Sequence, residues 1–127
     1  MRALRALSAV AIVAGLILVP TVAAHGHTAT YPTELTIHTR RIDGNVRFFG
    51  RLSSPKAACE AHSNVVLAEV NTGLWVQMDT NAEGKYAFVL VLPTGDWHVS
   101  VRGKVLRSTA LHDHRCKAST SATVHVA

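Results

Sequence analysis

The chain has 127 residues, 48% hydrophobic and 17% charged, with a formal charge of +5, eight histidines and two cysteines. That length suits one small domain behind a leader and is too short for two. The basic residues pair at Arg40-Arg41 and alternate at Arg47 and Arg51 without forming a longer run, so they read as a solvated strand face, and no nucleic-acid partner is expected.

The first element is an export signal over residues 1–24, expected to be helical. Arg2 and Arg5 form a positive start, Ala6 to Val19 is apolar apart from Ser8, and Pro20 precedes the small residues Ala23 and Ala24. An apolar run of about 14 residues falls short of the roughly 20 that span a bilayer as a helix. Cleavage after Ala24 is therefore expected, with release to the extracellular space or cell envelope and no stable membrane insertion. Loss of Arg2 and Arg5 leaves eleven basic residues against eight acids, a charge of +3.

Residues 25–33 show no apolar period and read as a flexible tail; 34–127 read as the folded domain. Leu35, Ile37 and Thr39 alternate with polar residues, and Asp43-Gly44-Asn45 makes a turn. Val46, Phe48, Gly50 and Leu52 follow at period two, then a loop through Cys59 to Ser63. Val65 to Val70 is a β-rich run. Leu74, Val76 and Met78 alternate with Trp75, Gln77 and Asp79, which places Trp75 outward unless the register slips by one. Tyr86, Phe88 and Leu90 precede a Pro93–Asp96 turn, and Trp97, Val99 and Val101 form the next strand. Arg102 to Lys117 reads as a long polar loop, and Ala122, Val124 and Val126 close the chain.

Seven short strands without helical periodicity predict an all-β domain, a seven-stranded antiparallel Greek-key β-sandwich. In an exported chain the even pair Cys59 and Cys116 reads as a disulfide. Closing a loop of about 58 residues stabilises by roughly 4 kcal/mol in the chain-entropy account. By strand position, the bridge is expected to tie the last strand to the middle of the domain.

Thr80-x-x-x-Gly84-x-Tyr86-x-Phe88 followed by Leu92-Pro93-x-Gly95-x-Trp97-x-Val99-x-Val101 resembles the carboxypeptidase regulatory-like and transthyretin-like modules of exported proteins. Gly50-Arg51-Leu52-Ser53 and Val65-Val66-Leu67 are similar to their first strands. Gly84 and Gly95 are expected at positive φ, where a side chain is strained. The resemblance covers residues 46 to 126 and implies an Ig-like sandwich that serves as a spacer, an adhesion unit or a carbohydrate-contacting surface, without catalysis.

Two features point to binding. The first is histidine: if cleavage follows Ala24, the mature terminus is His25-Gly26-His27. Its amine, two amides and the imidazole of His27 make a four-nitrogen site suited to Cu(II) or Ni(II), and His25 alone offers an amine and a ring nitrogen. His112-Asp113-His114 puts two more imidazoles on one face if extended. These four histidines are the candidate metal ligands, with copper as the one cofactor considered, and the tail and the late loop would have to meet for them to share a site. A solvated tail and loop are the simpler reading. His38, His98 and His125 fall in the polar phase of strands. The second feature is Trp75, an outward aromatic able to stack on a sugar ring or a partner protein. No serine lies in a nucleophile-elbow glycine pattern and the acids are scattered, so no catalytic residue is expected.

Overall fold

The computed structural model describes residues 26–127; the export signal read at 1–24, and His25, lie outside the described residues. Among the described residues strands account for 60% and helix for 4%, a mostly β structure with one disulfide. Twelve strands among the described residues form three sheets, against the seven strands that the sequence pattern predicts.

Two larger sheets face each other. In the first, β4 (Asn45–Ser53) is flanked on one side by β7 (Lys85–Val91) and on the other by β2 (Glu34–Leu35) and β3 (His38–Ile42), all antiparallel to it. In the second, β5 (Asn64–Glu69) lies between β6 (Trp75–Asp79) and β8 (Gly95–Val101). The far edge of β8 carries β11 (Ser119–Thr120) and β12 (Val124–Val126). The inward phase of each strand supplies the core: Phe48 and Leu52 from β4, Val65 and Leu67 from β5, and Val99 from β8 are fully buried. Phe48 meets Trp97 across the two layers with ring centroids 5.5 Å apart. Alternation at period two is what lets each sheet bury one face and wet the other.

The segment expected as one strand from Leu35 to Thr39 is two. Leu35 and Ile37 are both buried, but the backbone between them bends over Gly50. A Cβ at Gly50 would stand 2.0 Å from the Thr36 carbonyl oxygen, so only glycine allows the approach. The Tyr86 hydroxyl donates to that same carbonyl. Gly84 (φ 81°) and Gly95 (φ 107°) adopt the left-handed conformations expected of them. Leu74, expected to face the core with Val76 and Met78, is 64% exposed and precedes β6, while Val76 and Met78 do pack on the core.

The third sheet was not anticipated. The presumed tail forms β1 (His27–Tyr31), and the presumed polar loop forms β9 (Lys104–Ser108) and β10 (His112–Cys116), in the order β1-β10-β9. Cys116 ends β10 and bridges to Cys59 on the one-turn helix α1 (Ala57–Glu60), with Cα atoms 5.6 Å apart. The disulfide therefore ties this small sheet to the loop after β4, and not the last strand to the domain centre. Lys104 adds a second tie, its Nζ donating to the carbonyls of Ala58 (3.0 Å) and Ala61 (3.1 Å).

Candidate functional site

The outer face of β6–β5–β8 is built in cross-strand rows. Register pairs Trp75 with Ala68 and Ala68 with His98; the next row runs Gln77, Val66, Ser100; the third pairs Asp79 with Asn64. Trp75 is 61% exposed, so its outward phase is the one the fold adopts. The middle strand contributes short side chains, and a hollow of ≈ 430 Å³ opens between Trp75, Gln77, Asn64, Val66, Ala68 and Arg102. It continues into a second hollow of ≈ 370 Å³ that shares Asn64, Val66 and Arg102 and adds Ser100 and Lys104. The result is a shallow trough with one aromatic wall, two side-chain amides and a guanidinium.

Trp75 is also a ridge. On its other side lies an apolar cleft of ≈ 450 Å³ between the edges of β6 and β7, lined by Leu74, Leu90, Val91, Leu92 and Trp97. Val91 and Leu92 are among the most exposed large apolar residues of the domain. The turn beneath this cleft is held by Glu69. Its carboxylate accepts the backbone N–H groups of Asn71, Thr72 and Asp96 and the Thr72 hydroxyl. Those donors hold its pKa at about 2, well below the ordinary 4.5, against an opposing push from desolvation. Glu69 is covered by its own turn, a fully satisfied structural carboxylate that the sequence offered only as one scattered acid.

The histidines divide. His38 is exposed on β3 and leans on Phe49, with ring centroids 5.5 Å apart. His125 pairs with Asp96 at 2.7 Å on the surface. His27, His112 and His114, taken from two separate stretches of sequence, come together. Strand β1 runs parallel to β10 with His27 opposite His112, Ala29 opposite His114 and Tyr31 opposite Cys116. Ring centroids lie 5.3 Å apart for His27–His114, 6.0 Å for His112–His114 and 6.1 Å for His27–His112. The Tyr31 hydroxyl is 3.3 Å from His114 Nδ1, and Lys56 sits over the Tyr31 ring. Partial desolvation, followed by the charges of His27, His112, Lys56 and Arg107, keeps the pKa of His114 below the ordinary value and favours its neutral ring. The rings meet edge to face, and among the described residues no group of three or more His, Cys, Asp or Glu side chains is arranged to hold a metal ion as the rings stand. The His27 amide donates to the Leu111 carbonyl at 2.7 Å. An amino-terminal four-nitrogen site would need that amide deprotonated, so strand pairing and that site exclude one another at this bond.

No family model, no curated protein and no solved structure matches the chain.

Proposed function

We propose that the chain is an exported, non-catalytic sandwich module of the carboxypeptidase regulatory-like or transthyretin-like kind that binds a glycan in the trough beside Trp75. The observation that carries this reading is an indole 61% exposed in a row whose neighbours are small and polar. Contiguous exposed apolar surface marks an interaction site, and the exposed ring of Trp75 adjoins Leu74, Val91 and Leu92. The C–H face of a pyranose stacks on such a ring, while Asn64, Gln77 and Arg102 offer planar donors and acceptors for its hydroxyls. The apolar cleft on the other side of Trp75 favours a second reading, a protein partner seated on Leu74, Val91 and Leu92.

The two tryptophans make the test direct. Trp97 is buried in the core and Trp75 is not, so a ligand in the trough alters only the emission of Trp75. Titration with neutral and acidic oligosaccharides is expected to quench and blue-shift that emission, and the effect is lost in Trp75→Phe read through the remaining Trp97. Unchanged emission, together with unretarded migration through gels containing either class of polysaccharide, ends the glycan reading. In that case, capture of a protein partner that is lost in Leu92→Asp supports the cleft.

A further inference from the structure

We infer that His27, His112 and His114 form the ligand set of a transition-metal site, assembled by the parallel docking of β1 against β10, at which Cu(II) binds more tightly than Zn(II). The site is independent of Trp75, which stands on a different sheet.

The backbone fixes the juxtaposition. Residues paired in a parallel ladder stand on the same face of the sheet, and so do residues two apart on one strand. The pairing of His27 with His112 therefore puts all three imidazoles on one face, and no rotamer choice can send one of them to the other side. The position opposite His114 is Ala29, which has no side chain beyond Cβ to fill the space between the rings. Tethering at both ends keeps this register: His27 N–H donates to the Leu111 carbonyl, and Lys117 N–H donates to the Tyr31 carbonyl.

The distances suit ligation. Three imidazole nitrogens at 2.0–2.1 Å from one ion in tetrahedral directions place their ring centroids roughly 5 Å apart. One pair here is at 5.3 Å and the other two are within about an ångström of that spacing. His27 is exposed and the other two are half-buried, so turning the rings inward costs little packing. Tyr31 acts as a positioning residue. With His114 Nδ1–H donating to the Tyr31 oxygen, the lone pair of Nε2 is left for the metal, the arrangement that ligating histidines commonly adopt. Imidazole suits copper, zinc and nickel, and affinity along the first row peaks at Cu(II). The cations Lys56 and Arg107 beside His114 oppose a divalent ion and hold the affinity below that of a site ringed by carboxylates.

The test uses protein that keeps residues N-terminal to His25, so that His25 carries no free amine and the amino-terminal alternative is silenced. Titrated with Cu(II) alone, the disulfide-intact protein is expected to take up one equivalent with imidazole-nitrogen couplings in its electron paramagnetic resonance spectrum, and Zn(II) is expected to bind more weakly. His112→Ala and His114→Ala should each weaken copper binding by at least about tenfold, and Tyr31→Phe by about tenfold with the stoichiometry kept. Copper should also slow amide exchange across residues 28–31, a readout that a merely structural role for the histidines would not move. His125→Ala, remote from the site, should change nothing. Copper binding that is undiminished in the His112→Ala/His114→Ala double variant, or that leaves exchange in β1 unaltered, overturns the assignment. So does copper uptake that appears only when His25 carries the free amine.

Discussion

The two facing sheets and the small third sheet are held by different forces. Between the large sheets, Phe48, Leu52, Val65, Leu67 and Val99 are wholly buried, and cohesion comes from apolar surface removed from water. The small sheet reads HTATY, KVLRS and HDHRC along its strands, and Cys116 is its one buried residue. Backbone hydrogen bonds, one disulfide and the Lys104 tie do the holding there. Such a sheet has little to lose by opening, and regions held this way open more readily than the core. The contrast teaches where each candidate site sits: an exposed aromatic on the well-packed layer, and a histidine cluster on a sheet with little buried surface.

The sharpest way to break that contrast is to damage the strong half. Phe48→Ala removes the largest fully buried side chain and should cost about 3–5 kcal/mol. The expected result is a large fall in the urea midpoint, with both layers unfolding together. A separate, earlier transition of β6 alone would mean that the two sheets do not share one core.

Damage to the weak half should read differently. Cys59→Ala/Cys116→Ala opens the loop between positions 57 residues apart and should lower stability by up to about 4 kcal/mol. Because Cys116 ends β10, amide exchange should rise first in β1, β9 and β10 and only later in β4, β5 and β8. Uniform acceleration across all three sheets would contradict the division.

Which half could be read from sequence follows from the same physics. Period-two alternation marks a strand only when one face is buried, so β4, β5, β7 and β8 were legible down to single residues, Gly84 and Gly95 included. Strands β1, β9 and β10 bury almost nothing apart from Cys116, and their polar residues look like tail and loop. The third sheet was therefore invisible, and with it the meeting of His27 with His112 and His114, although each histidine stood out as a candidate ligand. Trp75 was legible as an outward aromatic, but the trough beside it was not, because Ala68 and Ser100 matter only through cross-strand register. The cysteine pair was legible from export chemistry, while its attachment point was misplaced, since β10 was not expected to exist.

Acid separates the halves again. The folded-state pKa of Glu69, about 2, lies below the ordinary 4.5. Its contribution is therefore fully present above pH 4.5 and is lost as pH falls through 2. The turn it caps belongs to the strong half, so the urea midpoint of the parent protein should decline between pH 4.5 and 2. Glu69→Gln, less stable at neutral pH, should show a flatter profile across that window. Parallel profiles would show that another carboxylate governs acid unfolding.

The smallest expected effect lies in the weak half and concerns its second tie. Lys104→Met keeps the aliphatic stem and removes two hydrogen bonds from the ammonium to the carbonyls of Ala58 and Ala61. Water replaces such bonds well at a partly exposed site, so the global loss should be about 1 kcal/mol or less. The local consequence is larger than the global one, because β9 is the edge strand of a sheet with no apolar core of its own. Amides of residues 104–108 should exchange measurably faster while those of β5 and β8 stay unchanged. If exchange in β9 is indifferent to the substitution, the disulfide alone anchors the small sheet, and the docking of β1 depends on Cys116 and its own backbone bonds.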